Sequence, residues 1–439
     1  MNPMLMLGIF LLFFIGLAMF CKLPVAYSIA AATIMVILAA HIKPIAMGTV
    51  AFSGLDSFPL LSVPLFIYAG AIMQHSGIAH SLIDFIDSLV GRIRGSLGAV
   101  TILASAAFGV LTGSCMATIS CIGGIMIPEM KKKGYTDSYC AALAAAASFL
   151  GILIPPSVPG IMYGLCAGAS ISAVWLSTVG PALLCIIFFM TINYFKVGAK
   201  EERDTTPITM NLYLGNVGKS FVRSIPALVM PVIIFGGIYG GIFTATEAGA
   251  AAVTYGLGFF LVKFLTKRED LDIGFYRMTY EAAISTATIS ILIGMSNCSG
   301  RIISMIGIAE AIKAFITAHI SSTFVFLIFA NIVFLICGML IDINAAILLI
   351  VPLLLPTATA MGLDTIHFGA IILVNLSVGF ITPPFCSSVF MAQKISGARY
   401  VEIVKDVMPF VFASLLVVIL TTYIPAVSTF IPNLAAGKL

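Results

Sequence analysis

Gly151-Ile152-Leu153-Ile154-Pro155-Pro156-Ser157 interrupts an apolar run from 138 to 166, and Gly379-Phe380-Ile381-Thr382-Pro383-Pro384 interrupts another from 366 to 393. Each run is long enough to cross a bilayer, which takes about 20 apolar residues. Two successive prolines remove two amide donors and release the carbonyls one turn earlier. In lipid such backbone groups are costly unless protein, water or an ion satisfies them. The pair therefore predicts two broken membrane helices whose exposed backbone serves a purpose at that depth.

The two breaks belong to a repeat. Adding 228 to the residue number carries Pro128, Gly134, Gly151, Pro155 and Pro156 onto Pro356, Gly362, Gly379, Pro383 and Pro384 without a gap. Random placement of 39 Gly and 20 Pro gives about 0.3 such identities in a window of this size. Upstream, after a two-residue indel, Gly77-Ile78-Ala79 faces Gly307-Ile308-Ala309 and Phe85-Ile86 faces Phe315-Ile316. Two further apolar stretches, 97–130 and 320–356, carry turn or polar residues at their middles: Leu111-Thr112-Gly113-Ser114 and Gly338-Met339-Leu340-Ile341-Asp342. They read as re-entrant hairpins, each two half-helices that leave on the side they enter.

Full spans are expected near 4–20, 24–40, 58–75, 138–166, 169–195, 222–242, 246–265, 281–299, 366–393 and 407–425. Each half then holds five spans and a hairpin, and five is odd, so the second half is expected upside down relative to the first. The predicted fold is an all-α polytopic membrane protein of two inverted repeats, 1–196 and 221–439, joined by a polar cytoplasmic linker at 197–220. Inverted repeats with helices broken in matching places point to a secondary transporter with its site at the repeat interface.

Composition agrees. Hydrophobic residues make up 60% of the 439 positions and charged residues 9%, against roughly 25% charged in a soluble domain. The 22 Lys and Arg with 18 Asp and Glu cannot cover a core of this size, so lipid must solvate most of the surface. A dispersed net charge of +4 leaves no basic face for nucleic acid. Starting outside and crossing at each span puts 18 cations inside: Lys22, Arg92, Arg94, Lys131, Lys132, Lys133, Lys196, Lys200, Arg203, Lys219, Arg223, Lys263, Lys267, Arg268, Arg277, Lys394, Arg399 and Lys405. Only Lys43, Arg301, Lys313 and Lys438 fall outside.

No cation precedes the first apolar run and Lys22 follows it, which predicts a retained helix with an external N-terminus rather than a signal peptide. Gly215-Asn216-Val217-Gly218-Lys219-Ser220 lacks the first glycine of a phosphate loop, since Tyr213 stands there. The nine cysteines show no CxxC and the five histidines no ligand spacing, so both read as structural.

The chemistry is expected at the four interruptions. Carbonyls around Thr112, Gly113, Ile154, Pro155, Gly338, Gly379 and Pro383, with the hydroxyls of Ser114, Thr118, Ser157 and Thr382, are hard oxygen ligands suited to Na+. Half-helix N-termini at the tips of the hairpins offer amides to an anionic substrate. Asp342, the symmetry mate of Ser114, is the only carboxylate between Glu310 and Asp364. It can bind Na+, accept a proton, or hold its tip together through amide hydrogen bonds. Arg301 can grip an acid group with two hydrogen bonds or anchor its helix at the membrane edge. Thr244 and Glu247 have capping-box spacing, and Asp84 and Asp87 lie on an amphipathic segment.

Gly109-Val110-Leu111-Thr112-Gly113-Ser114 with Ala117-Thr118, then Pro128-Glu129-Met130, Ile154-Pro155-Pro156-Ser157 and Tyr163-Gly164 resemble the large membrane subunit of tripartite ATP-independent periplasmic (TRAP) transporters. Asp56-Ser57-Phe58-Pro59-Leu60-Leu61, Thr244 to Glu247, Gly338-Met339 with Asp342, and Asn375-Leu376 with Thr382-Pro383-Pro384 extend the resemblance over nearly the whole chain. Ala245 and Phe385 depart from the family's usual Pro and Gly. The resemblance implies a Na+-driven importer of organic acid anions in the bacterial inner membrane. It also implies a small four-helix membrane subunit, expected as a separate chain, a periplasmic substrate-binding protein, and an elevator movement of hairpins and broken helices against a scaffold. Ser114, Arg301 and Asp342 are the expected substrate contacts. An elevator-type exchanger or exporter of organic anions acting without a binding protein is the alternative, and no enzyme site is expected.

Overall fold

The computed structural model describes residues 3–42, 47–198, 210–267, 271–320 and 322–437. Lys43, Lys200, Arg203, Arg268 and Lys438 of the charge argument lie outside them, as does the middle of the expected linker. All regular structure among the described residues is helical.

Helix α1 (Pro3–Ile15) runs on as a π-helical turn to Phe20, and α2 (Val25–Ala39) and α3 (Met47–Leu55) follow. Next come α4 (Ser62–His75), the amphipathic α5 (Ile78–Val90) and α6 (Ser96–Thr112). The chain turns at Gly113-Ser114 into α7 (Cys115–Thr118), a π-helical turn and α8 (Gly124–Lys132). Helices α9 (Asp137–Ser148) and α10 (Leu150–Leu153) precede the first proline break, and α11 (Val158–Ala167) and α12 (Ile171–Asn193) follow it.

The second half begins with α13 (Met210–Tyr239), α14 (Ala245–Lys267) and α15 (Leu271–Ile306). The amphipathic α16 (Ile308–His319) leads to α17 (Thr323–Leu340) and α18 (Ile343–Ala360). Helix α19 (Thr365–Gly379) ends at the second proline break, and α20 (Ser387–Ser396), α21 (Tyr400–Tyr423) and α22 (Ala426–Ala435) complete the chain.

Among the described residues nine helices are long and apolar enough to cross a membrane, or ten when the pair bent by 42° at Ile154–Ser157 counts as one span. Helix α2 is confined to Val25–Ala39, 15 residues that rise about 22 Å, inside the expected span 24–40. Two sequence expectations are corrected. Helix α15 has 36 residues rather than the span 281–299; at about 54 Å it outruns a bilayer, since no proline stops it before Tyr280. Helix α13 starts at Met210, so residues 210–220 of the supposed linker are helical. Gly215 to Ser220 lie inside that helix and form no phosphate loop.

Helices α17 and α18 each have 18 apolar residues, enough to cross. They run antiparallel, with Thr323 Oγ1 at the start of α17 reaching the Met361 carbonyl at the end of α18 at 3.5 Å. Likewise Thr101 Oγ1 meets Met130 Sδ at 3.7 Å, joining α6 to α8. The two bases lie at opposite ends of α21. Asp406, near its start, accepts from Ser138 at 2.7 Å and pairs with Lys196 at 3.4 Å, while Lys131 beside them pairs with Asp137 at 3.1 Å. At its far end Tyr423 donates to the Phe324 carbonyl of α17.

The same basic end collects other partners from distant segments. Lys263 donates to the Ser76 carbonyl, and Glu281 takes His75 at 3.0 Å and Arg277 at 2.8 Å. The opposite end holds the bonds from Thr246 to the Phe58 carbonyl and from Tyr163 to the Thr365 carbonyl.

The core is continuous and rich in small residues. Every residue from Tyr139 to Leu153 is buried, because α9 and α10 run through the middle. At one crossing a Cβ on Gly109 of α6 would collide with the Gly151 backbone of α10. At the other, a Cβ on Gly338 of α17 would lie 2.9 Å from the Leu376 Cα, and one on Gly379 would collide with the Gly338 backbone. Only glycine lets these backbones touch.

Candidate functional site

The two tips face one cavity. Thr112, Gly113, Ser114 and Asp342 line one cavity of about 280 Å³ together with Asn344, Ile152 and Phe380. The facing wall comes from Ile67, Gly70, Ala71 and Gln74 on one stripe of α4 and Glu281, Ala282, Ser285 and Ile289 on one stripe of α15. Both stripes run from apolar at Ile67 and Ile289 to polar at Gln74 and Glu281, which lie nearest the basic end.

Each tip is built as a helix start. Gly113 takes φ +58°, a left-handed value open to glycine, and a Cβ there would lie 2.5 Å from the Pro156 carbonyl oxygen. The first tip thus rests on the first proline break. Ser114 is extended, and its hydroxyl accepts from the Ala117 amide at 3.4 Å. Asp342 does the same for α18, accepting from the Asn344 amide at 2.9 Å. Aspartate and serine are strong N-caps, so the hydrogen-bonded role foreseen for Asp342 is present, with its carboxylate exposed to the cavity. Thr118 donates to the Ser114 carbonyl at 2.8 Å and stands against Gly151.

The carbonyls at the breaks find partners that the sequence reading missed. Thr178 of α12 donates to the Leu153 carbonyl at 2.6 Å, and the Trp175 indole donates to the Ser157 carbonyl at 3.0 Å. Ser157 itself caps α11 through the Gly160 amide at 3.3 Å. At the second break the Gly379 carbonyl accepts from the Thr382 amide and the Phe380 carbonyl from the Ser388 amide, each at 3.2 Å. A carbonyl retains a second lone pair, so these bonds orient the oxygens without using them up. Thr382 directs its hydroxyl to the Val378 carbonyl at 2.8 Å, and Ile154 donates its amide to the Leu150 carbonyl. Both Pro155-Pro156 and Pro383-Pro384 are cis.

Asn344 is a site residue with no sequence signal beyond its place two residues after Asp342. Its side chain is buried and its Oδ1 has no hydrogen-bond partner, an unusual arrangement that leaves a hard oxygen free at the second tip. Arg301 is absent from the cavity wall. It is exposed on α15, 12 residues past Ile289, or about 18 Å along the helix axis. Among the described residues no Lys, Arg or His lines the cavity, whereas Asp342 and Glu281 do. Elsewhere Thr244 and Glu247 form the expected reciprocal cap, with the Thr244 amide on Glu247 at 2.8 Å and the Glu247 amide on Thr244 at 3.3 Å. Asp84 and Asp87 lie on the exposed face of α5.

Broken helices around a cavity deep among apolar spans define a polytopic membrane transporter. Its fold is that of the YdaH transporter of Alcanivorax borkumensis, with a TM-score of 0.59 over 89% of this chain and 88% of that one at 16% identity. Residues 10–427 match the family described as "Tripartite ATP-independent periplasmic transporter, DctM component", and the chain belongs to that family. It is a multi-pass membrane permease subunit and not an enzyme. It is 35% identical to the isethionate TRAP transporter permease protein DctMQ of Oleidesulfovibrio alaskensis over 93% of this chain, spanning 63% of that relative's length. It is 33% identical to the sialic acid TRAP transporter large permease protein SiaM of Vibrio cholerae, covering 88% of each.

Proposed function

We propose that this chain is the large membrane subunit of a Na+-coupled symporter that carries an organic acid anion across the bacterial inner membrane. The names of its relatives support the substrate class, since isethionate is a sulfonate and sialic acid a carboxylate. The observation that carries the coupling is the charge of the cavity. Glu281 is already paired with Arg277, but Asp342 has no ion-pair partner among the described residues, so an organic acid entering alone meets like charge at the second tip in a medium of low dielectric. A co-bound cation removes that repulsion, so ion and substrate enter together.

Na+ is assigned to the two tips and their breaks. The first region comprises Thr112, Gly113, Ser114, Thr118, Ile154, Pro155 and Ser157. The second comprises Gly338, Asp342, Gly379, Thr382 and Pro383, to which Asn344 is added for its free Oδ1. The basic end is assigned to the cytoplasm by the positive-inside rule, which supports an N-terminus in the periplasm. The division into two inverted repeats is kept as a proposal, the first over 1–196 and the second beginning with α13 at Met210 rather than at 221, on the support of hairpin bases at opposite ends of α21. Helices α5 and α16 link the outer helices to the hairpins in each half, which suits an elevator. Arg301 then meets substrate only when the tips face outward. A small four-helix membrane subunit and a periplasmic binding protein complete the assembly.

The test is uptake into vesicles holding the full assembly, with a Na+ or a proton gradient imposed alone. Uptake should follow Na+ and vanish without it. Full uptake on the proton gradient in the absence of Na+ would refute the reading.

A further inference from the structure

The cavity has two unlike walls. On the tip side the backbone amides that begin α18, the Ser114 hydroxyl and the Asn344 side chain suit an acid group, with the Asp342 carboxylate suited to its ion. The α4 and α15 side presents Gln74, Ser285 and Glu281. Glu281 is fixed in place, because His75 holds Oε2 at 3.0 Å and Arg277 holds Oε1 at 2.8 Å. Each oxygen keeps a further lone pair, and a carboxylate only accepts. Neither His75 nor Arg277 lines the cavity, so what a ligand meets there is the remaining lone pairs of a carboxylate already paired from behind, a surface of acceptors.

We propose that the transported acid carries a hydrogen-bond donor, a hydroxyl or an ammonium group, at the end opposite its acid group, and that Glu281 with Gln74 recognises it. This deepens the organic-acid reading and rests on it. A plain acid would leave the cavity-facing lone pairs of Glu281 without a donor, which is penalised. A second acid group brings only acceptors to these acceptors, so a dicarboxylate is disfavoured. Selectivity thus resides partly in the membrane subunit, on helices outside the hairpins.

The experiment uses the complex of this chain with its small subunit in lipid nanodiscs, with ligand binding followed by saturation-transfer NMR in Na+ buffer. The probes are 3-hydroxypropionate, β-alanine, propionate and succinate, matched in size. The donor-bearing pair should bind at least tenfold more tightly than propionate, with succinate weakest. Glu281→Gln should shrink the gap between β-alanine and propionate to under threefold and let succinate in. Gln74→Leu, which leaves the His75–Glu281–Arg277 bonds intact, should give an intermediate loss and guards against a folding defect in the first variant. Equal or absent responses to donor-bearing and plain probes in the wild type overturn the assignment. So does a preference unchanged in both variants. Donor-selective binding that ignores Na+ would keep this assignment and sink the Na+-coupled reading instead.

Discussion

Trp175 donates its indole N–H to the Ser157 carbonyl at 3.0 Å, so the chain's single tryptophan braces the first proline break from α12. The ring is fully buried over Gly160, with Phe66 edge-on at 5.5 Å. Trp175→Phe keeps an aromatic ring and removes the donor, leaving a carbonyl of the first proposed Na+ region free to turn. A lost buried hydrogen bond is worth about 1–3 kcal/mol, so the Na+ concentration for half-maximal uptake should rise roughly 5- to 100-fold. An unchanged Na+ dependence would reduce Trp175 to packing.

Asp342 combines a cap with a charge, and the two can be separated. Asparagine caps helices about as well as aspartate, so Asp342→Asn should keep α18 and assembly with the small subunit while abolishing Na+-driven uptake. Ser114→Ala loses both its cap and a hard oxygen, at roughly 0.5–2 kcal/mol of stability, and should also lose uptake. Wild-type transport by Asp342→Asn at matched expression would leave the residue with only its structural role.

The glycine crossings predict a contrast in stability. Gly109→Ala puts a methyl into the Gly151 backbone and Gly338→Ala puts one against Leu376, so neither can be relieved by a side-chain rotation. Overpacking of this kind costs about 1–3 kcal/mol. Gly258→Ala on α14 meets nothing within 4 Å and should match the wild type. Thermal unfolding in detergent checks all three; equal midpoints would mean that the crossings can open at little cost.

The sequence exposes the parts of this site that depend on local chemistry. Double prolines, a Gly-Ser turn and an Asp within an apolar run are visible in one dimension because each forbids a continuous helix. What brings them together is long-range and leaves no local mark. Thr178 and Trp175 read as ordinary members of an apolar span, yet they hold the first break. Gln74 and Glu281 read as the polar ends of two apolar spans, yet they form the second wall. Gly338 and Gly379 were read for their carbonyls, while their lack of a side chain is what lets α17 lie on α19. The length of α15 was also hidden, since polar residues from Asp272 to Glu281 look like a loop until Met278 and Phe275 are seen packing on α14.

Arg301 supplies the last prediction. It sits about 18 Å beyond the cavity wall along α15 and is exposed, so it cannot hold substrate in this arrangement. If the tips travel toward its end, an arriving acid would meet this guanidinium before the cavity faces inward. Arg301→Gln should therefore leave binding of substrate from the basic end unchanged, while raising the external concentration needed for half-maximal uptake by about 10- to 100-fold, the worth of one charged hydrogen bond. Arg301→Lys keeps the charge without the planar fork and should fall between them. Measuring binding from one side and uptake from the other on the same preparation separates the cases. Equal loss on both sides would place Arg301 in the fold rather than on the path, and no loss on either would make it a membrane-edge anchor.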